Sequence, residues 1–203
     1  MGVQSSFGFT LGRMEKGRLN KITDVPGVRV GHVTRHEGDI NTGVTAILPH
    51  TGDMFHDKCP AASHVINGFG KSIGLVQVNE LGTIETPLLL TNTLSVGTAA
   101  TALVKYMLER NADIGCDTGT VNPMVFECND GHLNDIRGLH VTEQNALDAL
   151  ANAADNFEEG AVGAGSGMSC YSLKGGIGSA SRIFELYGNK YTVGALLLTN
   201  FGT

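Results

Sequence analysis

The chain has 203 residues and a net charge of −6, with 41% hydrophobic and 17% charged residues. This composition suits one globular domain with enough apolar material for a core. The acidic balance argues against nucleic acid as a partner, because proteins that bind nucleic acid usually present a basic face. The sequence has no long apolar run and no block of like charges, so we expect no membrane segment, no signal peptide and no membrane-surface patch.

The first half of the chain is predicted to be mainly strands. Residues 22–33 alternate apolar and polar side chains around Pro26 and Gly27, which predicts a strand, a turn and a second strand. Short apolar runs at residues 43–48, 74–78 and 87–90 predict three further strands.

Two helices are predicted, at residues 95–110 and 142–156. The second has Thr142 as its N-cap and an apolar stripe at helical spacing. Residues 121–128 predict another strand, and the glycine-rich residues 161–181 predict repeated turns. Strands and helices are interspersed without regular strand–helix–strand units, so we predict a mixed α and β fold that is not of the Rossmann type.

Residues 191–198 form the most strand-like run, and this run leads directly into residues 199–203. Complete domains usually end in polar, poorly ordered residues. We therefore expect further chain to follow this strand.

Metal and cofactor sites are not predicted. The four cysteines form no Cys-x-x-Cys pair and the histidines are scattered, which argues against a zinc site. Cysteines of this kind without a secretory signal are typical of a reducing cytoplasm, and we expect them to be small core residues.

Two glycine-rich stretches are similar to phosphate-binding motifs but do not satisfy them. Residues 68–72 end in Gly-Lys-Ser, but a P-loop requires glycine at position 65, which is Val65. Residues 163–167 lack the spacing of a dinucleotide-binding loop. Two interpretations of residues 163–167 stay open: closely packed turns, or backbone N–H groups at Gly163 and Gly165 that stabilise an oxyanion.

A polar cluster follows the predicted strand 121–128. Glu127 is suited to hold a substrate ammonium group by a charge-assisted hydrogen bond, and Asn129 is suited to donate its amide N–H to an oxyanion. The same residues also fit a solvated turn, with Asp130 and Asn134 bracing it. The pattern alone leaves both interpretations open.

Five segments, in order along the chain, resemble the signatures of the DmpA-type aminopeptidase and β-aminopeptidase family. They are residues 24–32, 87–97, 127–135, 163–182 and 191–202. The resemblance implies a four-layer αββα sandwich, similar to N-terminal-nucleophile hydrolases and to ornithine acetyltransferase. It also implies a metal-free hydrolase, assembled from several pairs of large and small subunits, that removes L-, D-Ala or β-amino residues from the amino end of short peptides, amides or esters.

The resemblance further implies that the precursor cleaves itself and that residues 1–203 are a single-domain fragment, the large subunit. Thr203, or the residue after it, is then the nucleophile, activated by its own α-amino group. The resemblance assigns the remaining site residues as oxyanion-stabilising or substrate-binding: Glu127, Asn129, Asn92, Asn200, Gly163 and Gly165.

Three residues depart from the family pattern. His132 replaces an aromatic residue, Lys71 an acidic residue, and Ala161 an asparagine that stabilises the oxyanion in some members. Loss of such a donor costs about 10²–10³ in rate. Two alternatives stay open, namely an acetyl-transferring relative of the ornithine acetyltransferase type and a structural homologue that does not cleave itself.

Overall fold

The structure is a computed structural model that describes residues 12–202. This part of the chain has a mixed α and β fold, as predicted. Its helices are α1 (Leu75–Leu81), α2 (Val96–Leu108) and α3 (Glu143–Ala151). Its strands are β1 (Arg29–Glu37), β2 (Ile40–Leu48), β3 (Cys59–Pro60), β4 (Thr83–Ile84), β5 (Leu88–Asn92), β6 (Met124–Cys128), β7 (Ser169–Cys170), β8 (Leu173–Lys174), β9 (Gly176–Leu186) and β10 (Asn189–Thr199).

A four-stranded sheet in the order β1-β2-β5-β6 forms the centre of the fold. Strands β1 and β2 are an antiparallel hairpin, and β5 is antiparallel to β2. Strand β5 is parallel to β6, with Leu88 opposite Met124 and Asn92 opposite Cys128. Parallel neighbours require a crossover connection, and α2 lies within it. The parallel pairing brings the carboxyl ends of β5 and β6 to one edge of the sheet.

Helices α2 and α3 cover one face of this sheet and enclose an aliphatic core that includes Val44, Leu89 and Leu103. The approach of α3 to β1 is close at Gly31, where an added Cβ would lie 2.2 Å from the Ala149 carbonyl oxygen. A side chain at position 31 would therefore push the helix off the sheet.

The hairpin β9–β10, paired over eleven residues of each strand, covers the other face. Its inner side chains, which include Ile177 and Leu196, pack with Val30 and Phe157 in a second core. Residues 12–202 thus contribute one helical layer and two β layers of the expected four-layer sandwich.

The outer face of this hairpin is apolar and exposed. Tyr191, Val193 and Leu197 alternate along β10 with exposed fractions of 47%, 56% and 54%. Within residues 12–202, β9 is the one strand that pairs with β10.

The structure corrects several sequence predictions. The predicted strand 74–78 is the start of helix α1, which begins after Gly74 at φ 100° and is capped at Gly82 in the left-handed conformation. Residues 22–28 are a 3₁₀ turn and loop, so the first strand starts at Arg29. The segment 161–181 includes the start of a long strand, β9, as well as turns. None of the four cysteines is a buried core residue.

Both predicted helices are present, each shorter than expected. The Thr142 hydroxyl accepts a hydrogen bond from the Asn145 N–H at 3.3 Å, which confirms Thr142 as the N-cap of α3. The longest helix among residues 12–202, α2, has 13 residues. A membrane-spanning helix needs about 20, and none of the described helices has the length and apolarity to cross a bilayer.

Candidate active site

The polar residues predicted to form the site meet at the carboxyl ends of β5 and β6. Glu127 is the penultimate residue of β6, and Asn129 is the first residue after this strand. The Asn200 side chain, just beyond β10, donates a hydrogen bond to the Asn129 carbonyl at 2.7 Å. This bond joins the outer hairpin to the central sheet at the site.

The Glu127 carboxylate is half-buried and held in place by two donors. Its Oε1 accepts the Lys71 N–H at 3.0 Å, and its Oε2 accepts the Thr93 hydroxyl. A carboxylate offers about four acceptor positions, so capacity remains for an ammonium group. The Lys71 ammonium group lies 3.8 Å from the Phe69 ring centroid and donates to the Phe69 carbonyl, so it does not neutralise Glu127.

Asn129 presents its amide to an open cavity of about 980 Å³. Its Oδ1 accepts the Gly131 N–H at 2.9 Å, which fixes the orientation of the amide. Its Nδ2 has no hydrogen-bond partner among residues 12–202. The Asn129 side chain is therefore positioned to donate to a ligand oxygen, as an oxyanion donor does. His132 and Asn200 line the same cavity.

A buried network beneath the cavity is centred on Asp130, which is 1% exposed. The Thr42 hydroxyl donates to Asp130 Oδ2 at 2.6 Å and the Asn134 amide donates to Oδ1 at 3.0 Å. Burial raises the pKa of Asp130, and these hydrogen bonds only partly offset that increase. Asp130 and Asn134 thus brace the turn after β6, as the sequence predicted.

Asn92 belongs to this network and is 2% exposed. Its Nδ2 donates to the Thr42 hydroxyl at 2.9 Å, and its Oδ1 accepts the Ser95 N–H at 3.0 Å. Asn92 therefore fixes the end of β5 against β2 from behind the cavity. Direct contact of Asn92 with a substrate stays a prediction.

Gly163 and Gly165 lie in a buried 3₁₀ turn between the two β layers. The Gly163 N–H donates to the Thr34 hydroxyl at 2.8 Å, and the Gly165 N–H donates to the Val162 carbonyl at 2.9 Å. Gly163 has φ 54°, and an added Cβ would lie 2.4 Å from the Thr45 hydroxyl oxygen. Close packing accounts for these glycines, and their role as oxyanion donors stays a prediction.

The last described residues run along the cavity. The Phe201 carbonyl accepts the Tyr171 N–H at 2.7 Å, and the two aromatic rings meet edge to face at 5.5 Å. Gly202 lines the cavity. Thr203, the predicted nucleophile, lies outside the described residues.

Lys174 was not predicted from the sequence, yet it lines the cavity. Its ammonium group donates to the carbonyls of Gly165, Met168 and Gly175 at 2.8–3.0 Å. Partial burial lowers the pKa of Lys174. A lysine in a glycine-rich run carries no motif, so only the folded arrangement reveals that Lys174 and Asn129 line the same cavity.

The departures from the family pattern fall in different places. His132 lines the cavity, whereas Ala161 is exposed and does not line it.

Among residues 12–202, no three His, Cys, Asp or Glu side chains are grouped so that they could hold a metal ion.

Residues 20–203 match the family model of peptidase family S58. The chain belongs to peptidase family S58. It is 41% identical over 196 residues to a β-peptidyl aminopeptidase of Sphingosinicella microcystinivorans, an alignment that covers 92% of this chain and 48% of the relative. The resemblance found in the sequence is thereby confirmed, and this S58 chain spans about half the length of the curated relatives it matches.

Two solved structures have the same fold as this S58 chain. A protein of Pyrococcus horikoshii is 56% identical, with a TM-score of 0.96 over 98% of this chain and 59% of that one. The L-aminopeptidase D-Ala-esterase/amidase of Ochrobactrum anthropi is 38% identical, with a TM-score of 0.87 over 95% of this chain and 56% of that one. The latter is described as a prototype of the serine aminopeptidases and a new variant among the Ntn hydrolase fold, so this S58 chain has that type of fold.

Proposed function

We propose that this S58 chain is the larger, N-terminal part of a self-processing aminopeptidase. Its substrates are short peptides, amides or esters, from which it releases N-terminal L-, D-Ala or β-amino residues. One observation carries the proposal: the Glu127 carboxylate and the Asn129 amide donor, which has no partner within residues 12–202, share the edge of the sheet where Asn200 and Gly202 line the cavity. The aminopeptidase names of the relatives support hydrolysis over acetyl transfer.

In the proposed mechanism, Glu127 binds the ammonium group of the substrate. The attacking hydroxyl belongs to Thr203 or a residue that follows it, and the new α-amino group of that residue is the base. Attack on the substrate carbonyl carbon forms a tetrahedral oxyanion, which the Asn129 amide N–H stabilises. Collapse of this intermediate expels the leaving group, which takes the proton from the α-amino group, and leaves the acyl group as an ester on the attacking hydroxyl. Water then hydrolyses this acyl-enzyme ester, which releases the amino acid and restores the hydroxyl.

We also propose that a smaller second subunit completes the site and the sandwich. Two observations support this: the chain spans about half of its relatives, and the outer face of β9–β10 exposes Tyr191, Val193 and Leu197. Pairs of large and small subunits then assemble into a larger oligomer in the cytoplasm. No cofactor enters the proposed mechanism.

Intact-mass spectrometry of the full-length protein, with sequencing of the first residues of any second fragment, tests the proposal. We expect two fragments, the smaller beginning with Ser or Thr. Replacing that residue by Ala should leave one uncut chain without peptidase activity. An uncut, inactive wild-type protein would overturn the proposal, and transfer of acetyl groups from acetylornithine to glutamate, without peptide hydrolysis, would favour the acetyltransferase alternative.

A further inference from the structure

A second cavity, of about 320 Å³, lies at the end of the central sheet opposite the candidate active site. It is bordered by the start of β1, the end of β2 and the carboxyl end of α2. Its walls include the apolar side chains of Leu48, Met54, Pro87 and Met107. Two cationic side chains, Arg29 and Arg110, line the same space.

The Arg29 guanidinium group is half-buried. Among residues 12–202 it has no hydrogen bond and no ion pair, and its Nε is buried without an acceptor. A buried N–H without an acceptor costs free energy, and a guanidinium group offers five donors in a planar fork. Arg29 is therefore equipped for an acceptor that comes from outside the described residues.

Arg29 is not needed to cap the carbonyl groups of Tyr106 and Met107 near the end of α2, which already have donors. The Met107 carbonyl accepts the N–H groups of Arg110 and Asn111 at 3.1 and 3.0 Å. The Tyr106 carbonyl accepts Arg110 Nη1 at 3.1 Å. The helix end thus accounts for one Arg110 donor and for none of those of Arg29.

The carboxylate of Asp53, which also lines the cavity, is directed to other groups. Its Oδ1 accepts the Phe55 N–H at 3.0 Å, and its Oδ2 bonds with His56 Nδ1 at 2.6 Å. His56 bonds in turn with Asp113. Asp53 therefore lowers the net positive charge of the cavity but accepts no hydrogen bond from the Arg29 guanidinium group.

Arg110 supplies the second positive charge in a fixed position. Its Cζ lies 3.5 Å from the Tyr106 ring centroid, so the guanidinium group stacks on the aromatic face. Its ion pair with Glu109 is long, at 3.9 Å, and exposed, which makes it weak. Arg110 keeps donors for a ligand.

We propose that this cavity is a carboxylate-binding site, distinct from the candidate active site, for an organic acid with an apolar body. Arginine forks bind carboxylates bidentately, and the apolar walls enclose a short hydrocarbon body. The carboxylate comes either from a free small molecule or from a side chain or terminus of the protein outside the described residues. The proposal goes beyond the proposed peptidase function.

Isothermal titration of the full-length protein with sodium hexanoate tests the site, with neutral hexanamide as the matched probe. We expect saturable binding of hexanoate and none of hexanamide. Arg29→Gln should weaken hexanoate binding about 10-fold or more, because a charged hydrogen bond is lost. Arg13→Gln, an equal charge change at an exposed position outside the cavity, should leave binding unchanged. The proposal is overturned if hexanoate binds wild type and Arg29→Gln with the same measurable affinity, or if hexanamide binds as tightly as hexanoate.

A crystal structure of the full-length protein distinguishes the two sources. A protein carboxylate within hydrogen-bond distance of Arg29, together with no titratable hexanoate, supports a built-in occupant. A hexanoate carboxylate at Arg29 supports a free ligand. If neither carboxylate lies at Arg29 and hexanoate does not bind, the proposal is wrong.

Discussion

Glu127 and Asp130 are carboxylates three residues apart that the fold places in opposite environments. Glu127 is half-buried at the carboxyl end of β6 and keeps acceptor capacity beyond Lys71 and Thr93. Asp130 is sealed beneath the cavity by Thr42 and Asn134. Glu127 is consequently available to a ligand, while Asp130 maintains the geometry of the turn.

We expect Glu127→Gln in the processed full-length enzyme to lower kcat/KM for alanine p-nitroanilide about 10- to 100-fold. The amide keeps the shape of Glu127 but loses the charge that attracts the substrate ammonium group. Steady-state kinetics measure the effect. Glu185→Gln, at an exposed position on the β9–β10 hairpin, is the control and should retain wild-type kinetics. Wild-type kcat/KM in Glu127→Gln would exclude Glu127 as the ammonium ligand.

We expect Asp130→Asn to lower the free energy of unfolding by about 1–3 kcal/mol, because an amide presents a donor to groups that already donate. Urea unfolding of the full-length protein measures this change. The control is Asp155→Asn, at an exposed position whose side chain has no partner among residues 12–202. It should change the free energy of unfolding by less than about 0.5 kcal/mol. An equal effect of the two substitutions would contradict the proposed bracing role.

The sequence pattern predicted that Glu127 and Asn129 lie together at a sheet edge, because they stand at the end of an apolar strand. Their roles in binding and catalysis stay predictions. The sequence pattern did not indicate Lys174, whose position depends on three carbonyl groups that only the folded turns 165–175 bring together. It also could not distinguish Asn92, which braces the site, from Asn200, which lines it. That distinction depends on which strand is buried between neighbours.

At the scale of elements, the predicted helices and central strands were found, and the errors follow from tertiary contacts. The apolar residues of 74–78 resemble a strand, but Gly74 turns the chain and Val76 stays 80% exposed on a short helix. The start of β9 is rich in Gly, Ser and Ala, which favour strands weakly. Its pairing with β10 over eleven residues determines its conformation.

Gly31 and Gly97 give opposite predictions for the same substitution. Gly31→Ala should destabilise the protein by about 1–3 kcal/mol, because its Cβ would meet the α3 backbone. Gly97→Ala should stabilise it by about 0.5–1 kcal/mol, because Gly97 lies in α2 with open space around it. Urea unfolding measures both, and the same sign for the two changes would contradict the packing described for β1 and α3.

Glu85 joins the segment before β5 to two other loops through Lys58 at 2.7 Å and the Asn122 N–H at 2.8 Å. Burial raises the pKa of Glu85, but these hydrogen bonds outweigh it and hold the pKa below the ordinary value of 4.5. The folded state therefore binds this proton less readily than the unfolded state. The stability that Glu85 contributes is present above pH 4.5 and is lost as the pH falls through the lowered pKa.

We expect Glu85→Gln to cost about 1–3 kcal/mol of unfolding free energy at pH 7, and this difference from wild type to shrink as the pH falls from 4.5 to 3. Urea unfolding at several pH values measures it. Glu80→Gln, at an exposed site on α1, should show no such pH dependence. A difference that grows on acidification would reverse the assigned sign.

At the scale of the whole molecule, the exposed face of β9–β10 is the feature that a two-part protein must cover. Leu197→Ser in the full-length protein should cost about 1–3 kcal/mol of stability if the second part buries this face. The control Val76→Ser, at a position that is 80% exposed on α1, should lower the free energy of unfolding by less than about 0.5 kcal/mol. Thermal and urea unfolding provide the measurement, and equal small effects would show that the face stays in solvent.

The two hairpins also bear on the order in which the fold forms. Strands β1 and β2 are joined through residues 38–39, and β9 and β10 through residues 187–188, so both pairs come from neighbouring sequence. Such local pairings close quickly, whereas the parallel pair β5–β6 must wait for the crossover through α2. We therefore expect the sheet edge that carries Glu127 to assemble late. In a partly folded chain the Glu127 carboxylate would not yet be in position to hold a substrate.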